Sequence, residues 1–248
     1  MDFFIVNGQI VKNGEANLSE LVLDTALKIS RKIWYGFGGI PLFHENLESI
    51  RREAEALRLD LPEDFNNKRE LFRKAKRMLN KNKCYRSGLI HFQIFWQNNQ
   101  ITTVINNNAF EEFEFPFSEK GLLLTFSRQQ KNTTNEFNTF SFFSQPLWKA
   151  ALAELTNTHY QNAIIFNEKN QVCECAKASL FMIKENVLIT PGLSSGCYKD
   201  ILRPWVFEAA EQESLRIKES ESVKKEDLTE MDELFLASEQ HGIQWILG

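Results

Sequence analysis

Few residues in this chain combine the types and spacing that chemistry needs, and most of them fall between Cys173 and Asp200. Cys173 and Cys175 stand two apart on a predicted strand, so both thiols leave the same face. Such a pair can ligate a metal, but no second pair and no histidine lies close in sequence to complete four ligands. Buried thiols are the reading, with no metal. Glu174, between them, ends that strand. A second strand follows over Ser179–Ile183, then a two-residue Glu185-Asn186 turn and a third strand over Val187–Thr190. A loop from Pro191 to Gly196 leads into a helix entered near Asp200, where Ile201, Trp205, Glu208 and Ala209 recur at helical spacing. Outside this block, His91 lies in the alternating run LIHFQIFW and reads as a strand histidine rather than a general base. Lys149 is an amine on a predicted helix and reads as an exposed helix-face lysine.

The elements that must position these groups are legible in order. Asp2–Val6 reads as an edge or outer strand closed by a turn at Asn7-Gly8. Residues Leu21–Ile33 are rich in strand formers, and Trp34–Gly39 reads as a turn with aromatics around it. A helix over Glu45–Arg58 sets Leu47, Ile50, Ala54 and Leu57 in a stripe opposite Glu48, Arg51, Arg52 and Glu55. A second helix, Lys68–Lys83, turns Leu71, Phe72, Ala75, Met78 and Leu79 inward and a basic face outward. That face is the one feature pointing to an acidic or nucleic-acid partner. Leu89–Trp96 and Ile101–Asn106 form a hairpin. The acidic, phenylalanine-rich stretch 111–117 reads as a linker dividing residues 1–115 from 116–248. Beyond it come a strand at Leu122–Phe126, a polar mobile loop over Gln129–Asn138, a helix over Pro146–Leu155 with Pro146 in its first turn, and a strand at Asn162–Phe166.

Composition bounds the function. At 248 residues the chain buries a sizeable core, and 43% apolar residues exclude both disorder and a membrane protein. No apolar run is long enough to span a bilayer, and the N-terminus lacks the basic region and cleavage site of a leader, which reads as cytoplasmic. A net charge of −4 gives no reason to expect nucleic acid, and four cysteines are too few for a disulfide scaffold. The 21 phenylalanines are assigned to core and interface.

The run from Glu174 to Arg203 (acidic residue, small residues, strand, hairpin, Thr-Pro, Gly-containing loop, Ile-x-Arg) resembles the fold-type IV pyridoxal-phosphate family. That family includes branched-chain and D-amino-acid aminotransferases and aminodeoxychorismate lyases. The resemblance covers nearly the whole chain. It implies an α/β fold of two domains, an α+β N-terminal half and an α/β C-terminal half with a cleft between them, and a homodimer. Laid on the family pattern, NLESIRREAEAL puts Asn46 at the usual histidine and Ser49 at the phosphate-binding arginine. Arg51 and Arg52 point elsewhere round the helix, and a serine lacks the charged fork that grips a phosphate. Counted back from Ala163 without a gap, the Schiff-base lysine position holds Ser141, which cannot form an imine. Lys149 lies eight residues further on, about 12 Å along a helix.

Glu174 falls at the acid that pairs with the pyridine nitrogen, and Ser179 at a neighbouring asparagine. The phosphate cup at a helix start maps to Asp200, Ile201 and Leu202, with Asp200 reading as an N-cap whose carboxylate repels an anion. Arg203 is kept, as an ion-pair partner. In the last pocket strand Glu239 brings a second negative charge. Tyr35 falls on a strand that carries active-site groups in the family, although aromatic packing accounts for it as well. One lost cation and two added carboxylates cost roughly several kcal/mol of phosphate affinity at an effective dielectric of about 20. The chain is therefore expected to be an aminodeoxychorismate lyase- or aminotransferase-like protein that has lost pyridoxal-phosphate catalysis. No cofactor is expected, and the remnant pocket is left for a small molecule that is not phosphorylated. The alternatives are an active lyase or class IV aminotransferase that holds pyridoxal 5'-phosphate on a displaced lysine such as Lys149, and a binding module acting through the 68–83 helix.

Overall fold

The computed structural model describes residues 2–14, 27–97, 100–111 and 120–248. Expectations for 21–26, for most of the 111–117 linker and for the tip of the 97–100 turn lie outside the described residues. The chain forms two compact units, Met1–Phe115 and Pro116–Gly248.

In the first unit, β1 (Phe3–Val6), β2 (Gln9–Lys12), β3 (Leu27–Tyr35), β4 (Gly88–Gln97) and β5 (Gln100–Ala109) form one antiparallel sheet in the order β2-β1-β5-β4-β3. The expected edge strand β1 is therefore interior, because Asn7-Gly8 turns the chain back and β2 takes the edge. Period-2 alternation sends Ile29, Arg31 and Ile33 of β3 to one face and Lys28, Ser30 and Lys32 to the other. Against the buried face packs α1 (Phe43–Ala56), whose Phe43, Leu47, Ile50 and Ala54 are fully buried. Tyr35 is buried too, packed rather than exposed in a pocket. Burial, followed by the neighbouring Cys84, pushes its phenol pKa up.

The second helix, α2 (Lys68–Lys81), is capped by Asn67, whose side chain accepts the Glu70 N–H. Much of its basic face is engaged within the unit. Lys68 pairs with Glu48, Lys74 with Asp64 at 3.0 Å, and Lys76 bonds the Gly38 carbonyl. Lys81 lies 4.6 Å from the centre of the Phe3 ring.

The second unit carries two sheets. β6 (Leu124–Lys131), β7 (Asn162–Asn167) and β8 (Val172–Cys175) form the smaller, with β6 parallel to β7 and β8 antiparallel. β9 (Ser179–Lys184), β10 (Val187–Pro191), β11 (Arg216–Ser220), β12 (Glu233–Ser238) and β13 (Gly242–Trp245) form the larger, in the order β11-β10-β9-β12-β13. The β9–β10 hairpin turns on Glu185 and Asn186, both at positive φ (48° and 61°), the geometry a tight two-residue turn requires. The parallel pair β10–β11 is bridged by α4 (Arg203–Gln212). This helix starts three residues later than expected and buries Arg203, Val206 and Ala210, while Trp205 stays half exposed. The stripe read through Trp205 is thus the outer face.

Two further expectations are corrected. Helix α3 spans Ser141–Ala153 and holds Pro146 inside it, not in its first turn. The stretch 129–138 is not a loop throughout: its first residues complete β6, and Glu136–Thr139 forms a 3-10 turn. Between them, Thr133 is tied to the Glu168 carboxylate through its N–H (2.9 Å) and hydroxyl (2.5 Å).

His91 faces the polar side of the first sheet, opposite Lys32 and Asn106, with its Nε2 2.8 Å from Ser30 Oγ. Burial, with the neighbouring Lys32 and Lys28 charges, lowers its pKa from 6.5 to about 4. The unfolded chain takes up a proton near pH 6.5 that the folded sheet refuses until about pH 4, so stability falls as pH drops through that window. We predict that H91Q removes about 1–2 kcal/mol of this acid sensitivity, after discounting for partial exposure. Urea midpoints of wild type and variant measured across the window check it, and a constant gap between the two would contradict it.

Candidate functional site

The centre of the second unit is a carboxylate. Glu174 on β8 lies opposite Ile165 on β7, on the face covered by α3, and is 2% exposed. Helix α3 presents Ser141, Ser144, Trp148 and Ala151 inward at steps of three, four and three residues, and all four are buried. From that stripe the Trp148 indole N–H donates to Glu174 Oε1 at 2.6 Å. The other carboxylate oxygen accepts the Tyr198 backbone N–H. The charge is met by Lys131, the last residue of β6, whose Nζ lies 2.7 Å from Glu174 Oε1 at 1% exposure.

Lys131 has a complete set of acceptors. Besides Glu174, its ammonium donates to Ser144 Oγ at 3.1 Å and to the Asn138 carbonyl at 3.5 Å. An ammonium has three N–H groups, so each finds a partner. The Asn138 carbonyl is held in place because the Asn138 amide donates to the Asn132 carbonyl at 2.7 Å. Gly196, at φ 87°, passes close enough that a Cβ there would come within 2.9 Å of the Asn138 amide. Glycine is needed at that position both for the left-handed backbone and for space.

This pair was not found from the sequence. Lys131 lies in the polar run Gln129–Asn138 that reads as a loop, and a register shift between Phe126 and Gln130 interrupts the alternation ahead of it. The positions singled out in sequence sort clearly around it. Ser141 is buried at the start of α3, one turn before Ser144. Lys149 follows Trp148 and is exposed, on a different side of the helix from Glu174. Ser179 opens β9, buried opposite Ala237. Asp200 is buried, but it does not cap α4, whose N-cap is Leu202. Its carboxylate accepts the Leu202 N–H at 2.9 Å, in the turn ahead of the helix. Ile201 and Leu202 are half-buried in that turn. Glu239 is half-buried in the turn after β12 rather than in the strand. Arg203 is a structural tie: it donates to the Pro191 carbonyl (2.7 Å) and Thr190 Oγ1 (3.3 Å), with Glu219 at 3.4 Å.

Cys173 and Cys175 are buried, and burial raises both thiol pKa values. Neighbouring residues on an extended strand leave opposite faces, which is why Glu174 meets α3 while these two do not. Among the described residues no group of His, Cys, Asp and Glu could hold a metal ion.

In the first unit a second buried ion pair adjoins Ser49. Arg31, placed on the apolar face of β3, pairs with Glu53 at 2.6 Å and donates to Ser49 Oγ at 3.3 Å. Asn46, Ser49 and Glu53 form a buried polar row on α1 at steps of three and four residues. The sequence held a signal for this: period-2 counting along β3 puts Arg31 between Ile29 and Ile33 on the inner face.

Comparison with known proteins agrees with this architecture. The family described as amino-transferase class IV matches residues 33–247. Aminodeoxychorismate lyase of Vibrio harveyi is 28% identical over 98 residues, which are 40% of this chain and 36% of that protein. A probable branched-chain-amino-acid aminotransferase of Thermotoga maritima is 34% identical over 82 residues, 33% of this chain and 30% of that protein. The matched segments thus span about a third of each of these curated relatives. Among solved structures, the branched-chain aminotransferase of Thermoproteus uzoniensis with norvaline superposes with a TM-score of 0.84 at 19% identity. The match covers 99% of this chain and 86% of that one.

Removing one partner of a buried ion pair strands the other, at a cost of about 3–5 kcal/mol. K131M and E174Q are each predicted to destabilise the protein by about that much. The double variant should lose clearly less than their sum, read as a coupling energy from urea unfolding of all four proteins. Additive losses would show that the two charges do not depend on each other.

Proposed function

Because the chain belongs to the class IV aminotransferase family, we propose that it is an aminodeoxychorismate lyase- or aminotransferase-like protein whose site has given up pyridoxal-phosphate chemistry. The observation that carries this reading is the state of Glu174. In the resemblance drawn from the sequence, this acid serves the pyridine nitrogen of the coenzyme. Here its oxygens are taken by Lys131, Trp148 and the Tyr198 N–H, all supplied by the chain itself.

The residues present do not fit the coenzyme. Its imine needs an amine, and the position that aligns with the family lysine carries the Ser141 hydroxyl. Lys131 does not replace that amine. Its nitrogen sits on the carboxylate that would face the ring nitrogen, whereas the aldehyde carbon stands across the ring from that nitrogen. Lys149 is exposed on another side of α3. At the aligned phosphate positions stand Ser49, which already accepts from the Arg31 fork, and Asp200, whose carboxylate holds the Leu202 N–H. The Arg31 guanidinium is neutralised by Glu53. No catalytic step is assigned to this site.

On this reading the remnant pocket takes a small molecule without a phosphate, and the protein works in the cytoplasm as a homodimer. No helix among the described residues is long and apolar enough to cross a membrane, and the residues at the aligned phosphate positions, Ser49, Asp200, Ile201 and Leu202, are either uncharged or acidic. The basic helix is a weaker basis for function, since Glu48, Asp64 and the Gly38 carbonyl occupy three of its ammoniums.

Mixing the purified protein with pyridoxal phosphate tests the proposal. We predict no saturable aldimine absorbance, and no borohydride-fixed adduct on Lys131 or Lys149 when the protein is digested and its peptides are weighed. A stoichiometric adduct on either lysine would restore the alternative of a working coenzyme-dependent enzyme.

A further inference from the structure

A cavity of about 510 Å³ opens in the second unit, on the side of the β6–β7–β8 sheet away from Glu174. Its position follows from strand alternation. Ile165 and Glu174 face α3, whereas Phe166, the next residue on β7, turns to the opposite side. There Phe166 meets Phe126 of β6 with ring centres 5.5 Å apart, and Phe126 is 40% exposed. An exposed aromatic pair on a cavity floor is a stacking surface.

Cations rim this floor. Lys225 holds its Nζ 4.1 Å from the centre of the Phe126 ring, and Lys169 and Lys224 line the same cavity. Glu226 is the one acid lining it. Among the described residues, none of the three ammoniums has a carboxylate within ion-pair distance. The rim is also fixed in place. The buried Val223 anchors the segment carrying Lys224 and Lys225, its carbonyl accepting the Val172 N–H at 2.7 Å, and the Lys224 N–H donates to Asp227 at 2.7 Å. The turn bearing Lys169 is closed by Asn167, whose side-chain oxygen accepts the Lys169 and Gln171 N–H groups at 2.9 Å each.

We propose that this cavity is a second binding site, for a planar aromatic ring that carries a phosphate, the chemistry of a mononucleotide. The ring packs against Phe126 and Phe166, whose planes are tilted by 45°, Lys225 leaves the Phe126 ring to admit it, and the phosphate is met by Lys169, Lys224 and Lys225. Lysine is a point-charge binder of phosphate, and base–aromatic stacking tolerates any base. The volume suits such a ligand, within the range of roughly 300–1,000 Å³ for small-molecule sites. The proposal does not depend on the fate of the Glu174 site, which lies across the sheet.

Adenosine monophosphate is the probe, followed by amide chemical shifts in the full-length protein, with adenosine and inorganic phosphate as separate arms. Adenosine monophosphate is expected to bind at least about tenfold more tightly than either fragment, since both contacts are needed. Its shifts should cluster on residues 126, 166, 169 and 222–226. K225Q and F126A, both at exposed positions, should each weaken binding about tenfold with unchanged circular dichroism. Equal affinity for phosphate and adenosine monophosphate would overturn the proposal, as would shifts elsewhere or full binding by both variants. A short single-stranded oligonucleotide that binds far more tightly than the mononucleotide, through contacts beyond the cavity, would replace it with a nucleic-acid surface.

Discussion

An ammonium and a carboxylate taken out of water each cost several kcal/mol, and their attraction offsets that only when the geometry is good and the remaining polar atoms are satisfied. Lys131 and Glu174 meet both conditions. The ion pair closes at 2.7 Å, the other two ammonium donors go to Ser144 and Asn138, and the carboxylate takes Trp148 and Tyr198 as well. Around this point five segments are tied together: the end of β6, the 3-10 turn after it, helix α3, strand β8 and the loop at Tyr198. Gly196 and the Thr133–Glu168 contacts hold the approach of the second of these. A segment whose composition suggests a loose loop is thereby among the better-fixed parts of the unit.

The first unit repeats the pattern. Arg31 and Glu53 form a buried pair beside Ser49, on the inner face of β3 against α1. The first unit's pair touches Ser49, and the second unit's touches Ser144, one turn along the helix from Ser141. Each of these cations stands on a strand, and a carboxylate of the same unit neutralises it there. A site built this way is self-sufficient, and a charged ligand would have to displace a paired group.

Much of the fold was legible because its elements obey simple periodicities. Leu47, Ile50 and Ala54 announce α1, the run at 89–96 announces β4, and Glu185-Asn186 announces a tight hairpin turn, all borne out by the observed elements. The failures have physical causes. The strand expected at Leu122–Phe126 is the start of β6, but beyond Phe126 a register shift and a polar sequence break the alternation, and Lys131 lies in that part. Apolar spacing at the start of α4 pointed through Trp205, but Arg203 is bonded to Pro191 and Thr190, and this sets Val206 and Ala210 inward instead. Asp200 sits one residue pair too early to cap, because the turn from 200 to 202 precedes the helix. Arg31 lies within the strand-forming run Leu21–Ile33, where counting in twos sets it on one face with Ile29 and Ile33.

Glu174 holds the Lys131 ammonium, and on the reading proposed above no amine is left there for a coenzyme. Lysine-selective ¹H–¹⁵N spectra of the side-chain ammoniums address this directly, since a buried, triply bonded NH₃⁺ exchanges slowly enough to be seen. A protected Lys131 signal is expected, lost in E174Q and unmoved when pyridoxal phosphate is added to the wild-type protein. Disappearance of that signal on adding the coenzyme, with an imine resonance in its place, would contradict it.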